Sequence, residues 1–580
     1  MEAQAGKGWL KMTPWAIDLG TTNTAIARWN ARNQEPELLH LPQLSRAAAE
    51  GQSLEVRFSV PSSVWLLPGD DWKTRFGKLS WVESMTFLGQ EGRIGQAALD
   101  ADAGLMRPHF VRGFKRALLT DGRTPLTQAG SRRFTAGQVG RIFLRELLAE
   151  ASRVTGERPR DVVFTTPVDS FEPYRAWLQQ TSKSLGIKRF RTLDEPVAAA
   201  IGYGLRLDTP QKVLVLDFGG STLNAAVVAL TEREAEVGRC QVLAKEGLAI
   251  GGDLVDAWMV EEYANRLDYE LHDDPDEPSR AWWYRIMLEE ARRVKEGLYL
   301  RETEAFFLTP PRELQRLPGL LRARKNFRPD QSWTRDQLVA LLEKRGLYSQ
   351  LHALLDRVLD QTLRAGTHPD ELAEVLMVGG STLLPEVYPL VEQRFGRSRV
   401  RAWQPFDAVV YGACRYAEGR IARADFLTHD YGVLTYRREG QETVPEYQVI
   451  VKAGTAYPTP GPVWQKHLTP TCSLGEPERV FKLMICELSQ RHSTHQAFTW
   501  DAHGRLHASD ASSENGPIVV PLNDENPTLG TLDPPHQPFD RAARLDVRFG
   551  VSAERWLWAT VTDLRNQKTL LNEVPVVRLR

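Results

Sequence analysis

Apolar positions along this chain keep two different rhythms, and the change-over falls near residue 422. Before it, short apolar runs alternate with segments in which apolar residues recur three and four positions apart. Ala16–Leu19, Asp161–Thr165, Val215–Phe218 and Val375–Val378 read as strands. Gly137–Val154, Ala281–Leu300 and Trp333–Leu363 read as helices, the last interrupted near Gly346. Strands alternating with helices predict an α/β architecture. From Tyr431 onward the rhythm shortens to two. Leu545–Phe549 and Trp556–Val561 alternate, and clusters of Gly, Pro, Asn and Asp separate the runs. An all-β domain is therefore expected over 429–580, with Pro521–Pro538 as a mobile loop rich in Pro, Asn and Asp.

One local pattern occurs twice. Ile17-Asp18-Leu19-Gly20-Thr21-Thr22-Asn23 and Leu216-Asp217-Phe218-Gly219-Gly220-Ser221-Thr222 both end an apolar strand in Asp-x-Gly, turn through small hydroxyl residues and resume as a strand. Glycine belongs at such a turn because it adopts backbone angles that other residues resist. Val378-Gly379-Gly380-Ser381-Thr382 repeats the theme but turns toward a helix. Repetition of this kind predicts two related lobes facing one cleft.

Such turns suit a polyphosphate. Small residues let backbone N–H groups approach phosphate oxygens, and hydroxyls add donors. The paired aspartates would repel phosphate on their own, but Mg²⁺ takes oxygen ligands from one or two carboxylates together with phosphates and water. Asp18 and Asp217, at equivalent strand ends, are placed to serve one such ion. No G-x-x-x-x-G-K-[ST] loop is present, which disfavours a Walker-type site.

Composition narrows the partners. Lys and Arg number 73 against 74 Asp and Glu among 580 residues, which removes a global electrostatic case for nucleic acid or an anionic membrane. The basic run Arg322–Lys325 reads as a solvated helix face. No apolar stretch is long enough to span a bilayer, and the first residues lack the apolar core of a secretory signal. Four cysteines make no disulfide framework, so a cytoplasmic protein with reduced thiols is expected. Cys472, Cys486, His492 and His495 are zinc-ligand types, yet their spacing fits no standard zinc pattern and Cys486 reads as a strand residue.

The motifs resemble those of the heat-shock protein 70 (DnaK-type) chaperones, within the actin and sugar-kinase superfamily. Asp18–Asn23 is similar to the first phosphate motif and Asp217–Thr222 to the second. Phe114-Lys115-Arg116 resembles the segment bearing the catalytic lysine. Asp194–Gly204 resembles the hinge helix, Ile250–Asp253 the segment after the second phosphate motif, and Val378–Pro385 the adenosine motif. The resemblance implies an actin-like nucleotide-binding domain at 12–422, with one lobe at 12–208 and 404–422 and the other at 209–403. It further implies a linker at 423–428 and a peptide-binding β-sandwich at 429–580.

The same resemblance implies ATP or ADP with Mg²⁺, positioned by Asp18 and Asp217 with Glu195 in the outer shell. Lys115 would place the attacking water, and Thr22 and Thr222 would hold phosphate oxygens. Gly20, Thr21, Asn23, Gly219, Gly220, Ser221, Gly251, Gly252, Asp253, Lys295, Gly379, Gly380 and Ser381 would complete the nucleotide site. Val433 and Val480 would touch an extended peptide, or else fill the sandwich core. Unfolded polypeptide clients, with J-domain and nucleotide-exchange co-chaperones, are the implied partners.

Several positions depart from the family pattern. Asn224 stands in place of an aspartate and Ser221 in place of a glycine. Arg292, Glu296, Tyr299 and Leu383 are unusual around the nucleoside, and the linker lacks its aliphatic run. The family's helical lid has no counterpart in the sequence. These departures keep a second expectation open, a nucleotide-gated scaffold or regulator that binds one protein partner. A small-molecule kinase on the same clamp would need a catalytic base, and no residue stands out as one.

Overall fold

Both Asp-x-Gly segments fold as antiparallel hairpins in the computed structural model. It describes residues 12–46, 58–67, 91–102, 109–123, 125–168, 172–205, 207, 209–266, 278–306, 331–419, 425–427, 430–439, 442–452, 455–472, 476–489, 497–500, 505–509, 518–523, 526–553 and 555–579. Strand Pro14–Leu19 pairs with Asn23–Asn30, Asp18 lying opposite Ala25. A Cβ on Gly20 would stand 2.0 Å from the Asn23 carbonyl oxygen, so this turn closes only with glycine. Strand Gln211–Phe218 pairs with Leu223–Leu230 in the same way, Asp217 lying opposite Asn224.

Each hairpin carries a parallel neighbour on its other side: Asp161–Thr166 beside Pro14–Leu19, and Leu372–Val378 beside Gln211–Phe218. The repeat seen in sequence is thus a repeat of sheet topology. The first sheet continues as Arg189–Asp194, Asp161–Thr166, Pro14–Leu19, Asn23–Asn30 and Glu35–Leu38. Its apolar residues, Ile17 and Phe164 among them, form one buried cluster with Phe143 of helix Ala136–Thr155.

Helices fall where the spacing predicts them. Ala136–Thr155 opens on a capping box made by Thr135 and Gln138. The periodic segment after Trp333 breaks into Arg335–Lys344 and Leu347–Arg364, with Gly346 left-handed between them. Helices Glu195–Gly202 and Ala408–Ala417 cross at backbone distance. A Cβ on Gly412 would sit 1.8 Å from the Ala198 carbonyl oxygen, and one on Gly202 would sit 1.9 Å from that of Ala408.

The chain divides into two compact units. The first holds both hairpin sheets. The second comprises Tyr203–Arg206, Val391–Trp403 and Ala422–Arg580. It contains two four-stranded antiparallel sheets, ordered Glu442–Val451, Asp430–Glu439, Ile485–Ser489, Ile518–Pro521 and Trp464–Leu468, Leu545–Val551, Trp556–Asp563, Lys568–Arg578. Val433 and Ile485 of one sheet share a buried core with Val547, Phe549 and Leu557 of the other, which makes the unit a sandwich.

Two expectations need correcting here. The segment 521–538 is not simply a loop, because Thr528–His536 is a strand paired with Glu478–Lys482. Its prolines are tolerated because the register skips between the Glu478–His536 and Val480–Thr531 pairs. Pro534 and Pro535 fall in that gap, where no ladder N–H is needed. Val433 is completely buried in the sandwich core, so its side chain offers no surface to a peptide, whereas Val480 is half-buried. Of the expected linker at 423–428 only 425–427 is described. His492, His495 and the run Arg322–Lys325 lie outside the described residues, and Cys486 is a buried strand residue.

Candidate functional site

Three carboxylates and one ammonium meet where the two hairpins face each other. Asp18 and Asp217 arrive at the ends of their strands, and Glu195 opens helix Glu195–Gly202. Lys115, on helix Phe114–Asp121, is 5% exposed and pairs with Glu195 at 3.2 Å. Asp18 accepts a hydrogen bond from the Thr165 hydroxyl at 2.6 Å.

The charges do not balance. Burial, then the negative charges of Glu195 and Asp18, push Asp217 up to about 7 against the opposing pull of Lys115. Burial and Glu195 likewise raise Asp18, although Lys115 and Thr165 act the other way. Burial disfavours the Lys115 ammonium, but Glu195, Tyr174 and Asp18 outweigh it and hold its pKa above the ordinary lysine value. An excess of buried negative charge is the environment a divalent cation relieves. Among the described residues no three acidic, His or Cys side chains converge to cage a metal unaided. Asp18 and Asp217 therefore fit an ion such as Mg²⁺ that completes its shell with water and phosphate oxygens.

Beside this cluster the two turns touch. A Cβ on Gly220 would stand 2.4 Å from the Thr22 hydroxyl oxygen. Ser221 donates to Asp253 at 3.1 Å and Thr22 donates to it at 3.4 Å, while the Asp253 N–H bonds the Gly220 carbonyl at 2.7 Å. Asn224 donates to the Thr222 hydroxyl at 3.1 Å. The Ser381 hydroxyl donates to the Gly219 carbonyl at 2.9 Å, which ties the third glycine-rich segment to the second hairpin.

These groups line one cavity of about 460 Å³, within the range of small-molecule sites. Thr21, Asn23, Gly252, Gly379 and Gly380 line it too, as the sequence led us to expect. Gly251 does not, since it packs behind the wall against the Gly220 backbone. Val433 and Val480 belong to the second unit.

Away from the carboxylates the cavity wall changes character. Lys295 is almost fully buried, bonded to Asp256 at 2.6 Å and to the Gly252 carbonyl at 2.8 Å. Arg46 grips Glu296 with both guanidinium nitrogens at 3.1 Å, and Arg292 adds a contact at 3.4 Å. Burial would raise Glu296, but Arg46 and Arg292 overcome it and hold the carboxyl at about 2. Tyr299 and Phe406 complete this end. Sequence reasoning missed Arg46, Thr165, Tyr174 and Phe406. Arg46 lies 250 residues from its partner, so no local spacing could have flagged it.

Asp407, next to Phe406, gives a pH test of this wall. It precedes helix Ala408–Ala417 without a side-chain cap bond, and burial alone pushes its carboxyl from 3.8 up to about 7. Below 3.8 the group is protonated in both states and contributes nothing. Between 3.8 and about 7 the folded chain keeps a proton that the unfolded chain releases, so stability falls as pH rises. Relative to Asp407→Asn, the wild type should lose up to roughly 1 kcal/mol per pH unit across that window. Denaturant melts at mildly acidic and mildly alkaline pH check this, and parallel profiles for the two proteins would refute it.

Comparison with known proteins agrees with this geometry. The family model described as Hsp70 protein matches residues 114–459. A chaperone protein HscA homolog of Shewanella amazonensis is 29% identical over 426 residues, covering 71% of this chain and 60% of the relative. One from Shewanella woodyi is 30% identical over the same shares. One from Shewanella putrefaciens is 33% identical over 50% of this chain and 43% of its own. The chain thus spans about 60% or less of the length of these relatives. It belongs to the Hsp70 family, and its fold is the two-lobed α/β ATPase clamp followed by an all-β sandwich.

Proposed function

We propose that this member of the Hsp70 family is an ATP-dependent molecular chaperone that binds and releases extended polypeptide segments and hydrolyses ATP slowly. The observation that carries the reading is the convergence of both hairpins on the Lys115, Glu195, Asp18 and Asp217 cluster in one cavity. Asp18 and Asp217 would hold Mg²⁺, with Glu195 behind them. When bound, that ion would neutralise phosphate charge. The Lys115 ammonium, kept charged by its acidic neighbours, orients a water toward the terminal phosphate and offsets the charge that develops there. Thr22 and Thr222 hydroxyls donate to phosphate oxygens, and the glycine turns let backbone N–H groups approach.

The second unit supports the client half of the reading. On strands Asp430–Glu439 and Glu442–Val451, Leu434 lies opposite Tyr447 and Tyr436 opposite Pro445, so all four share a face. Tyr436 is 55% exposed and Tyr447 38% exposed, an apolar stripe suited to an extended chain. Val480 is the half-buried candidate on strand Glu478–Lys482, which pairs with Thr528–His536 in a separate sheet. J-domain and nucleotide-exchange proteins would be the co-chaperones of such a cycle. No helix among the described residues is long and apolar enough to cross a membrane.

Release of a fluorescent peptide from the full chain, with and without ATP and Mg²⁺, tests the proposal. ATP should speed release and weaken affinity by about tenfold or more, the size of an ordinary coupling energy. Unchanged peptide affinity at saturating ATP would favour a nucleotide-gated scaffold for one partner, a reading to which the rebuilt wall of Arg46, Arg292 and Glu296 lends weight.

A further inference from the structure

Helix Gly252–Arg266 begins against the second hairpin turn, and the free N–H groups of a helix start ordinarily suit an anion. Here those groups are spent. The Gly252 N–H bonds the Gly219 carbonyl at 3.1 Å and the Asp253 N–H bonds that of Gly220 at 2.7 Å. The Leu254 and Val255 N–H groups both bond the Gly251 carbonyl. What this helix start offers the cavity instead is the Asp253 carboxylate, which lines it. One oxygen of that carboxylate accepts from the Ser221 hydroxyl at 3.1 Å and from the Thr22 hydroxyl at 3.4 Å. The surrounding cations are engaged elsewhere. Lys295 pairs with Asp256 at 2.6 Å, and Arg116 donates to the Ser221 carbonyl at 3.1 Å. Arg292 feels Asp253, but Glu296, Glu289 and Asp256 each weigh on it more heavily.

We propose that Asp253 competes with the phosphates of a bound nucleotide for the Thr22 and Ser221 hydroxyls, weakening the grip and speeding release of the product. The inference rests on the cavity being a nucleoside phosphate site. A hydroxyl donates one proton, and an ionised phosphate oxygen only accepts. Thr22 and Ser221 can therefore serve Asp253 or a phosphate, but not both. Thr222 differs: it accepts from the Asn224 amide at 3.1 Å, which leaves its own proton for the nucleotide. Seating a phosphate on Thr22 and Ser221 thus breaks two hydrogen bonds to a carboxylate and brings that carboxylate against a like charge. Lys115 and the N–H groups of the turns must outweigh this cost. Once the terminal phosphate is cut and leaves, fewer contacts hold the diphosphate, and Asp253 can regain its donors. Its opposition therefore falls most heavily on the product.

Calorimetric titration and stopped-flow release of the magnesium complex of ADP, on the full wild-type chain, Asp253→Asn and Asp253→Glu, test this. Asp253→Asn keeps the shape and removes the charge. It should bind ADP about tenfold more tightly and release it correspondingly more slowly, at an unchanged melting temperature. The gain should shrink in high salt, as the loss of a like-charge contact requires. Asp253→Glu keeps the charge and should not tighten binding. Unchanged or weaker ADP binding by Asp253→Asn would overturn the inference while leaving the nucleotide site intact. Equal tightening by Asp253→Glu would overturn it too. If neither wild type nor Asp253→Asn binds nucleotide, the proposed function falls and takes this inference with it.

Discussion

Lys115→Ala is expected to cut single-turnover ATP hydrolysis by about 10²–10³-fold while nucleotide still binds, the usual cost of losing a group aimed at developing charge. The effect is electrostatic. Lys115 pairs with the carboxylate cluster, 3.2 Å from Glu195, and it lowers the pKa values of both Asp18 and Asp217. Its removal takes away the ammonium that would face the terminal phosphate and raises both aspartates further. Binding is spread over the hairpin turns and the far wall, so affinity should change much less than rate. Rapid-quench hydrolysis together with equilibrium titration separates the two effects. Equal rates for variant and wild type would remove Lys115 from the chemistry.

The second large effect is structural. Helices Glu195–Gly202 and Ala408–Ala417 touch through Ala198, Gly202, Ala408 and Gly412, small residues spaced four apart on each helix. The atom facing a new Cβ at Gly412 is a backbone carbonyl oxygen at 1.8 Å, so no rotamer change can relieve the overlap. Gly412→Val should therefore force the helices apart and cost about 3 kcal/mol or more of stability. Because Glu195 opens one of these helices, hydrolysis should suffer as well. Denaturant unfolding of the full chain, followed for the first unit's transition, checks the stability cost. A variant as stable as wild type would mean the crossing is looser than described.

Much of this site was legible because its parts are local. Asp18 with Gly20–Asn23, and Asp217 with Gly219–Thr222, each lie within a few residues, and the turn chemistry that makes them hairpins is written in those residues. Lys115 was reached by resemblance rather than by spacing. What stayed hidden was set by tertiary pairing. Arg46 meets Glu296, and Thr165 meets Asp18, only once distant segments come together. In the sandwich, the Pro-rich composition of Thr528–His536 pointed to a loop. Leu529 and Leu532 are nonetheless buried, and the register gap absorbs the prolines. Val433 and Val480 look equivalent as single apolar residues, and only burial separates them.

The central claim is that the two hairpins hold ATP. Isothermal titration of the wild-type chain with ATP and Mg²⁺ tests it most directly. The account predicts saturable binding of one nucleotide per chain, weakened when Mg²⁺ is chelated. No binding, or binding indifferent to both Mg²⁺ and Asp217→Asn, would contradict it.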